Sequence, residues 1–182
     1  DCSGGKEGVV YEGKLKFEVI EHELSAIPET RTHVMVNVGS PDEAFKNHFL
    51  PVKGVGLGRL EFIIASHIQV HPNALIDYPK LKKDKTREIQ TLCRKIEELT
   101  KGYENKADYY VSELAEGVGK IAAAFWPNPV IIRFSDFKTN EYETLLGGSL
   151  YEPLENNPMI GWRGASRYYD PKFKAAFGLE CK

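Results

Sequence analysis

Apolar and polar positions along the chain first alternate, then cluster, then recur every three to four residues, and each change of pattern predicts an element. Leu15, Phe17 and Val19 alternate with Lys14, Lys16 and Glu18, a period of two that predicts a strand with one wet face. Glu21 to Thr32 is polar, carries Pro28 and has no period, so it reads as a linker. Val34 to Gly39 is a short β-branched run, predicting a buried strand. Ser40-Pro41-Asp42-Glu43 then supplies a helix start, with Ser40 as cap, Pro41 in the first turn and Glu43 closing a capping box. A helix of about two turns is expected over 42–49. Gly54 to Ile63 reads as strand and loop.

Further on, Ile89, Leu92, Cys93, Ile96 and Leu99 fall at helical spacing, as do Val111, Leu114, Ala115, Val118, Ile121, Ala122 and Phe125. Trp126-Pro127-Asn128-Pro129 ends the second of these helices, and Val130 to Phe134 predicts another buried strand. Residues 138–169 are rich in Gly, Pro and Asn and read as one long connection, a kind that usually carries function. A last helix starts at Asp170-Pro171, with Phe173, Ala176 and Phe177 on its apolar face. Strands alternating with helices predict an α/β fold with a parallel sheet, either a barrel or an open doubly wound sheet.

Composition narrows the classes. Of 182 residues, 42% are apolar and 27% charged, ordinary for a globular protein. Lys+Arg number 24 and Asp+Glu 26, a net charge of −2 that argues against a nucleic-acid or anionic-membrane partner. No run approaches the ~18 apolar residues of a membrane span, and no secretory signal is visible. Cys2, Cys93 and Cys181 are too scattered for a disulfide framework or a zinc site, so the reducing cytosol is the expected compartment. The chain opens without Met and stops inside a predicted helix, as an excerpt of a longer polypeptide would.

Two arginines stand out. Arg59 follows Gly-Leu-Gly and Arg133 follows Val-Ile-Ile, each in or just after a short apolar strand. In parallel α/β sheets ligands bind beyond the carboxyl ends of strands. Two guanidinium forks placed there would grip a doubly charged anion. The same residues also allow each arginine to pair with a neighbouring carboxylate such as Glu61 or Asp136. Arg163, flanked by Gly161-Trp162 and Gly164, is either a third anion ligand or part of a structural turn. Gly54, Gly56 and Gly58 lack the dinucleotide spacing and suit a crowded wall or a close ligand approach. His22, His33, His48, His67 and His71 have no metal-ligand or nucleophile context and read as structural. Cys93 reads as core, and Cys181, beside Glu180, as unactivated. Asp136, Asn140 and Glu141 read either as polar site residues or as a solvated loop.

Three long motifs carry a resemblance: Gly54 to Ile63, Val130-Ile131-Ile132-Arg133 through Tyr142, and Tyr151 through Tyr168 with Asn157-Pro158-Met159-Ile160-Gly161-Trp162-Arg163-Gly164. They closely resemble the phosphoenolpyruvate synthase (pyruvate, water dikinase) family of the PEP-utilising enzymes, whose wider circle includes pyruvate phosphate dikinase and enzyme I of the sugar phosphotransferase system. The resemblance implies that residues 1–20 are the tail of a swivelling phosphohistidine domain, 21–32 a linker, and 33–182 the first part of a PEP/pyruvate-binding (β/α)8 TIM-type barrel, a fold that needs ~250 residues. It implies that Arg59 and Arg133 hold the substrate phosphate and that Arg163 lies near the same site. It places the phosphorylated histidine, the Mg²⁺ ligands, the proton-donor cysteine and the ATP site outside this chain. It also implies a cytoplasmic enzyme whose isolated fragment is inactive and whose exposed strand edges favour a homo-oligomer. Two alternatives stay open: a truncated, non-catalytic anion-binding module, or a pyruvate phosphate dikinase. The Asn140-Glu141-Tyr142 stretch favours the synthase.

Overall fold

A computed structural model describes residues 8–182. Cys2 and the glycine-rich opening therefore lie outside the described residues. Three short strands, β1 (Val36–Val38), β2 (Val55–Arg59) and β3 (Val130–Arg133), form a parallel sheet in the order β1-β2-β3. Parallel neighbours cannot be joined by a tight turn and need helical crossovers. The first crossover is α1 (Pro41–Asn47). The second is long, with α2 (Leu60–Ile63), a π-helical turn at Ile64–Ile68, α3 (Pro72–Ile76), α4 (Tyr78–Leu81), α5 (Arg87–Leu99) and α6 (Lys106–Phe125). After β3 come α7 (Thr139–Thr144), α8 (Ala165–Tyr169) and α9 (Lys174–Glu180). The result is a mixed α/β structure, mostly helical, around a small parallel sheet.

The capping signal at Ser40 is real, with one adjustment. Ser40 Oγ accepts the Glu43 N–H at 3.2 Å, while Glu43 Oε2 accepts from Gly39 N–H at 2.9 Å, one residue earlier than a standard box. The predicted stripes of α5 and α6 supply the core: Cys93, Ile96, Leu114, Ile121 and Phe125 are buried against Ile63, Ile64, Ile68 and Leu75. Gly54 sits where the chain enters β2 with φ +128°, and a Cβ there would collide with the Pro129 carbonyl oxygen. Only glycine fits, because the backbones ahead of β2 and β3 meet at that point.

Several expectations need correction. Among the described residues, 8–20 form no strand, and Phe17 is 85% exposed. Alternation makes a strand only where another strand edge accepts its hydrogen bonds, and here none does. Of the strand and loop expected over 54–63, the strand ends at Arg59 and the loop is absent, because the backbone turns helical at Leu60. The segment 138–169 is not one long connection. It holds α7, a 3-10 turn at Gly148–Leu150 and α8. Glu141 starts α7 by accepting the Lys138 N–H at 2.7 Å, and Tyr142 anchors it by burial. Among the described residues no helix is long and apolar enough to cross a membrane.

Candidate functional site

The carboxyl ends of all three strands open on one cleft of about 860 Å³. Its walls come from Asn37 to Ser40 after β1, from Arg59, Glu61 and Phe62 at the β2–α2 joint, and from Arg133 and Asp136 after β3, with Arg163 reaching in from the loop before α8.

Arg59 and Arg133 are direct register partners across β2 and β3. Their side chains are half exposed, and both turn toward Glu61, whose side chain is only 7% exposed. Arg133 Nη2 donates to Glu61 Oε1 at 2.6 Å, and the Asp136 N–H donates to the same oxygen at 3.0 Å. Arg59 Nε stands 3.8 Å from Glu61 Oε2, and its guanidinium rests over the Phe62 ring at 4.8 Å. Arg163 grips Asp136 as a fork, with Nε to Oδ1 at 3.1 Å and Nη2 to Oδ2 at 2.8 Å. That fork holds the Asp136 carboxyl below the usual range against the opposing effect of burial, and it raises Arg163 in turn. Arg59 and Arg133 thus share Glu61 while Arg163 holds Asp136, and the bond from the Asp136 N–H to Glu61 joins the two groups.

Both readings of the arginines therefore meet in one geometry. The forks converge, and each also has a carboxylate neighbour. Of the polar candidates, Asp136 and Glu141 line the cleft, while Glu141 spends its carboxylate on the α7 start.

A protein-family model described as "PEP-utilising enzyme, PEP-binding domain" matches residues 16–180. The chain belongs to that family. It is 48% identical to the phosphoenolpyruvate synthase of Aquifex aeolicus and 52% identical to that of Synechocystis, with the whole chain covered in both cases. The synthase of Escherichia coli K12 is 45% identical over the whole chain. The chain spans about a quarter of the length of these relatives: 26%, 22% and 22%.

What steadies this PEP-binding-domain cleft is a second charged cluster that the sequence did not disclose. Arg167, 1% exposed, donates to both oxygens of Glu152, Nη1 at 2.6 Å and Nη2 at 2.7 Å. Glu152 Oε1 also accepts from His71 Nε2 at 3.0 Å, while His71 Nδ1 accepts the Asn73 N–H at 3.2 Å. Those two bonds fix the neutral tautomer with the proton on Nε2. Burial raises Glu152, but the bonds from His71 and Arg167 outweigh it and leave the carboxyl below its ordinary value. The Arg167 guanidinium also packs over Trp162 at 4.0 Å and Tyr142 at 4.4 Å. Arg167 lies four residues beyond Arg163, so this cluster fixes the base of the segment that carries Arg163. The only sequence signal was the crowding of aromatic residues around isolated charges. On the other side of β3, Glu180 accepts from Ser135 N–H at 3.1 Å and Ser135 Oγ at 2.5 Å. Burial raises its pKa. These bonds tie the β3 exit to α9.

Proposed function

We propose that this chain is the phosphoryl-gripping part of a phosphoenolpyruvate synthase. The whole protein would make phosphoenolpyruvate from pyruvate, ATP and water, in the cytoplasm, by way of a phosphohistidine domain on the same polypeptide. On this reading residues 1–20 end that domain, 21–32 link it, and 33–182 begin a (β/α)8 barrel whose remaining strands complete the sheet. The parallel order β1-β2-β3 and the cleft at the carboxyl strand ends are consistent with it. The observation that carries the proposal is the register pairing of Arg59 with Arg133, with Arg163 facing the same cleft.

The chemistry is charge neutralisation. A transferring phosphoryl group spreads negative charge over its outer oxygens, and fixed guanidinium donors stabilise that charge without reorganising. Arg59 and Arg133 supply two forks side by side, and Arg163, its own fork engaged by Asp136, adds a third positive charge from the loop. The family resemblance also implies Mg²⁺ and ATP. Among the described residues no three His, Cys, Asp or Glu side chains gather as a metal-ligand set, and the cleft carboxylates are engaged by arginines and backbone N–H groups. It is the family resemblance that places the ligands of both groups in the rest of the polypeptide, and these 182 residues alone are expected to turn over no substrate.

The test is Arg59→Ala and Arg133→Ala in the full-length protein, assayed for pyruvate phosphorylation. Each loss of an oxyanion-type donor should lower turnover by about 10²–10³-fold. Near-normal turnover in both variants would refute the assignment.

A further inference from the structure

The cleft is lined by four cations, Arg59, Arg133, Lys138 and Arg163, and four carboxylates, Glu43, Glu61, Asp136 and Glu141. Its fixed charge therefore sums to zero before a ligand enters. Glu43 and Glu141 cap the backbone N–H groups of Gly39 and Lys138, and Asp136 is held by the Arg163 fork. Glu61 is different. It is buried to 6% exposure between the two register-paired arginines. Its Oε1 is saturated by Arg133 and the Asp136 N–H. Its Oε2 is buried and has no hydrogen-bond partner among the described residues. A buried carboxylate oxygen left without a partner is unfavourable. The charge that faces it is Arg59, 3.8 Å away and resting on Phe62 rather than bonded.

We propose that Glu61 is the built-in counter-anion of the arginine pair, holding Arg133 as a fixed fork, leaving Arg59 as the movable one, and limiting how tightly the cleft grips a phosphoryl dianion. This rests on the reading of the cleft as a phosphoryl site. A dianion arriving between the forks meets a net charge of +1 from Arg59, Arg133 and Glu61 together, instead of +2. Glu61 repels the ligand in ground state and transition state alike, so it acts on uniform binding. An enzyme that must release its product is served by that restraint.

The experiment compares wild type, Glu61→Gln, Glu61→Asp and Arg133→Ala in the full-length protein. The dissociation constants of phosphoenolpyruvate and of inorganic phosphate are measured by calorimetry, alongside kcat and KM. Glu61→Gln keeps the shape and an oxygen for the Asp136 N–H but removes the charge. It should bind both ligands roughly tenfold tighter, with kcat and KM falling together as release slows, and the gain should shrink at high salt. Glu61→Asp draws the charge back by one methylene and should move the constants the same way by about twofold. A folded variant of either kind that binds as wild type does, or more weakly, overturns the proposal and makes Glu61 scaffolding alone. Unchanged phosphate affinity in Arg133→Ala would instead sink the phosphoryl-site reading itself, and this inference with it.

Discussion

Arg59 and Arg133 stand side by side on adjacent parallel strands, and one buried carboxylate, Glu61, lies between them and the protein interior. Like charges at paired strand positions repel, and that carboxylate offsets the repulsion between two half-exposed guanidiniums. Glu61 sits two residues beyond Arg59 on the first turn of α2, so the same joint that aims the arginine supplies its counter-charge. Of the two guanidiniums only Arg133 is held by a hydrogen bond to Glu61, while Arg59 rests on the Phe62 ring.

Arg167 should matter to stability more than to chemistry. Arg167→Ala leaves the Glu152 carboxylate buried without its bidentate partner and removes the guanidinium from the rings of Trp162 and Tyr142. A loss of about 3–5 kcal/mol is expected in denaturant unfolding. Arg167→Lys should recover little of it, because a point charge cannot make both bonds of a planar fork. Recovery to near wild type with lysine would show that charge alone suffices.

His71 should make the fold sensitive to mild acid. Burial lowers its pKa below 6.5, and the bond to Glu152 only partly opposes that. Protonation also requires Nδ1 to give up the Asn73 N–H. The folded state therefore binds fewer protons than the unfolded one below the ordinary value. The contribution is fully present above 6.5 and is lost as pH falls toward the lower folded value. Thermal melts at about pH 7.5 and pH 5.5 should show a drop in wild type that Glu180 does not cause. Glu180, with a raised pKa, acts in the opposite direction, disfavouring the fold above the ordinary carboxyl value. His71→Gln should flatten the pH dependence in this window, and an unchanged slope would assign it to another group.

Gly54 should tolerate no side chain. At φ +128°, with the Pro129 carbonyl oxygen standing where a Cβ would go, alanine forces the starts of β2 and β3 apart. Gly54→Ala is expected to lose about 3 kcal/mol or more by equilibrium unfolding. It should weaken anion binding too, because it disturbs the register that pairs Arg59 with Arg133. Wild-type stability in this variant would mean that the two strand starts can separate freely.

Much of this was readable from the residues. The helices α5 and α6 and the Ser40-Pro41 start reflect strong local preferences and form as expected, although Leu99, Ala115 and Ala122 of the expected stripes stand exposed. Arg59 and Arg133 stood out because a charge ending an apolar strand is conspicuous. Their adjacency was not readable, since residue order does not say which strands become neighbours. Glu61 was legible only as a carboxylate near enough to pair with an arginine, and its burial comes from the helical turn at the end of β2. Residues 139–144 gave no period because α7 is a single short helix held by Glu141 and Tyr142 rather than by an amphipathic stripe. Leu15, Phe17 and Val19 misled because alternation records a preference that a missing neighbour strand leaves unmet.

The passage from β2 straight into α2 has one more consequence. With no loop between Arg59 and Leu60, extension gives way to winding within a single peptide unit. Arg59 and its counter-charge share a hinge too short to bend, so inserting even one residue there would rotate Glu61 out of the interior and leave the two cations facing each other unmediated.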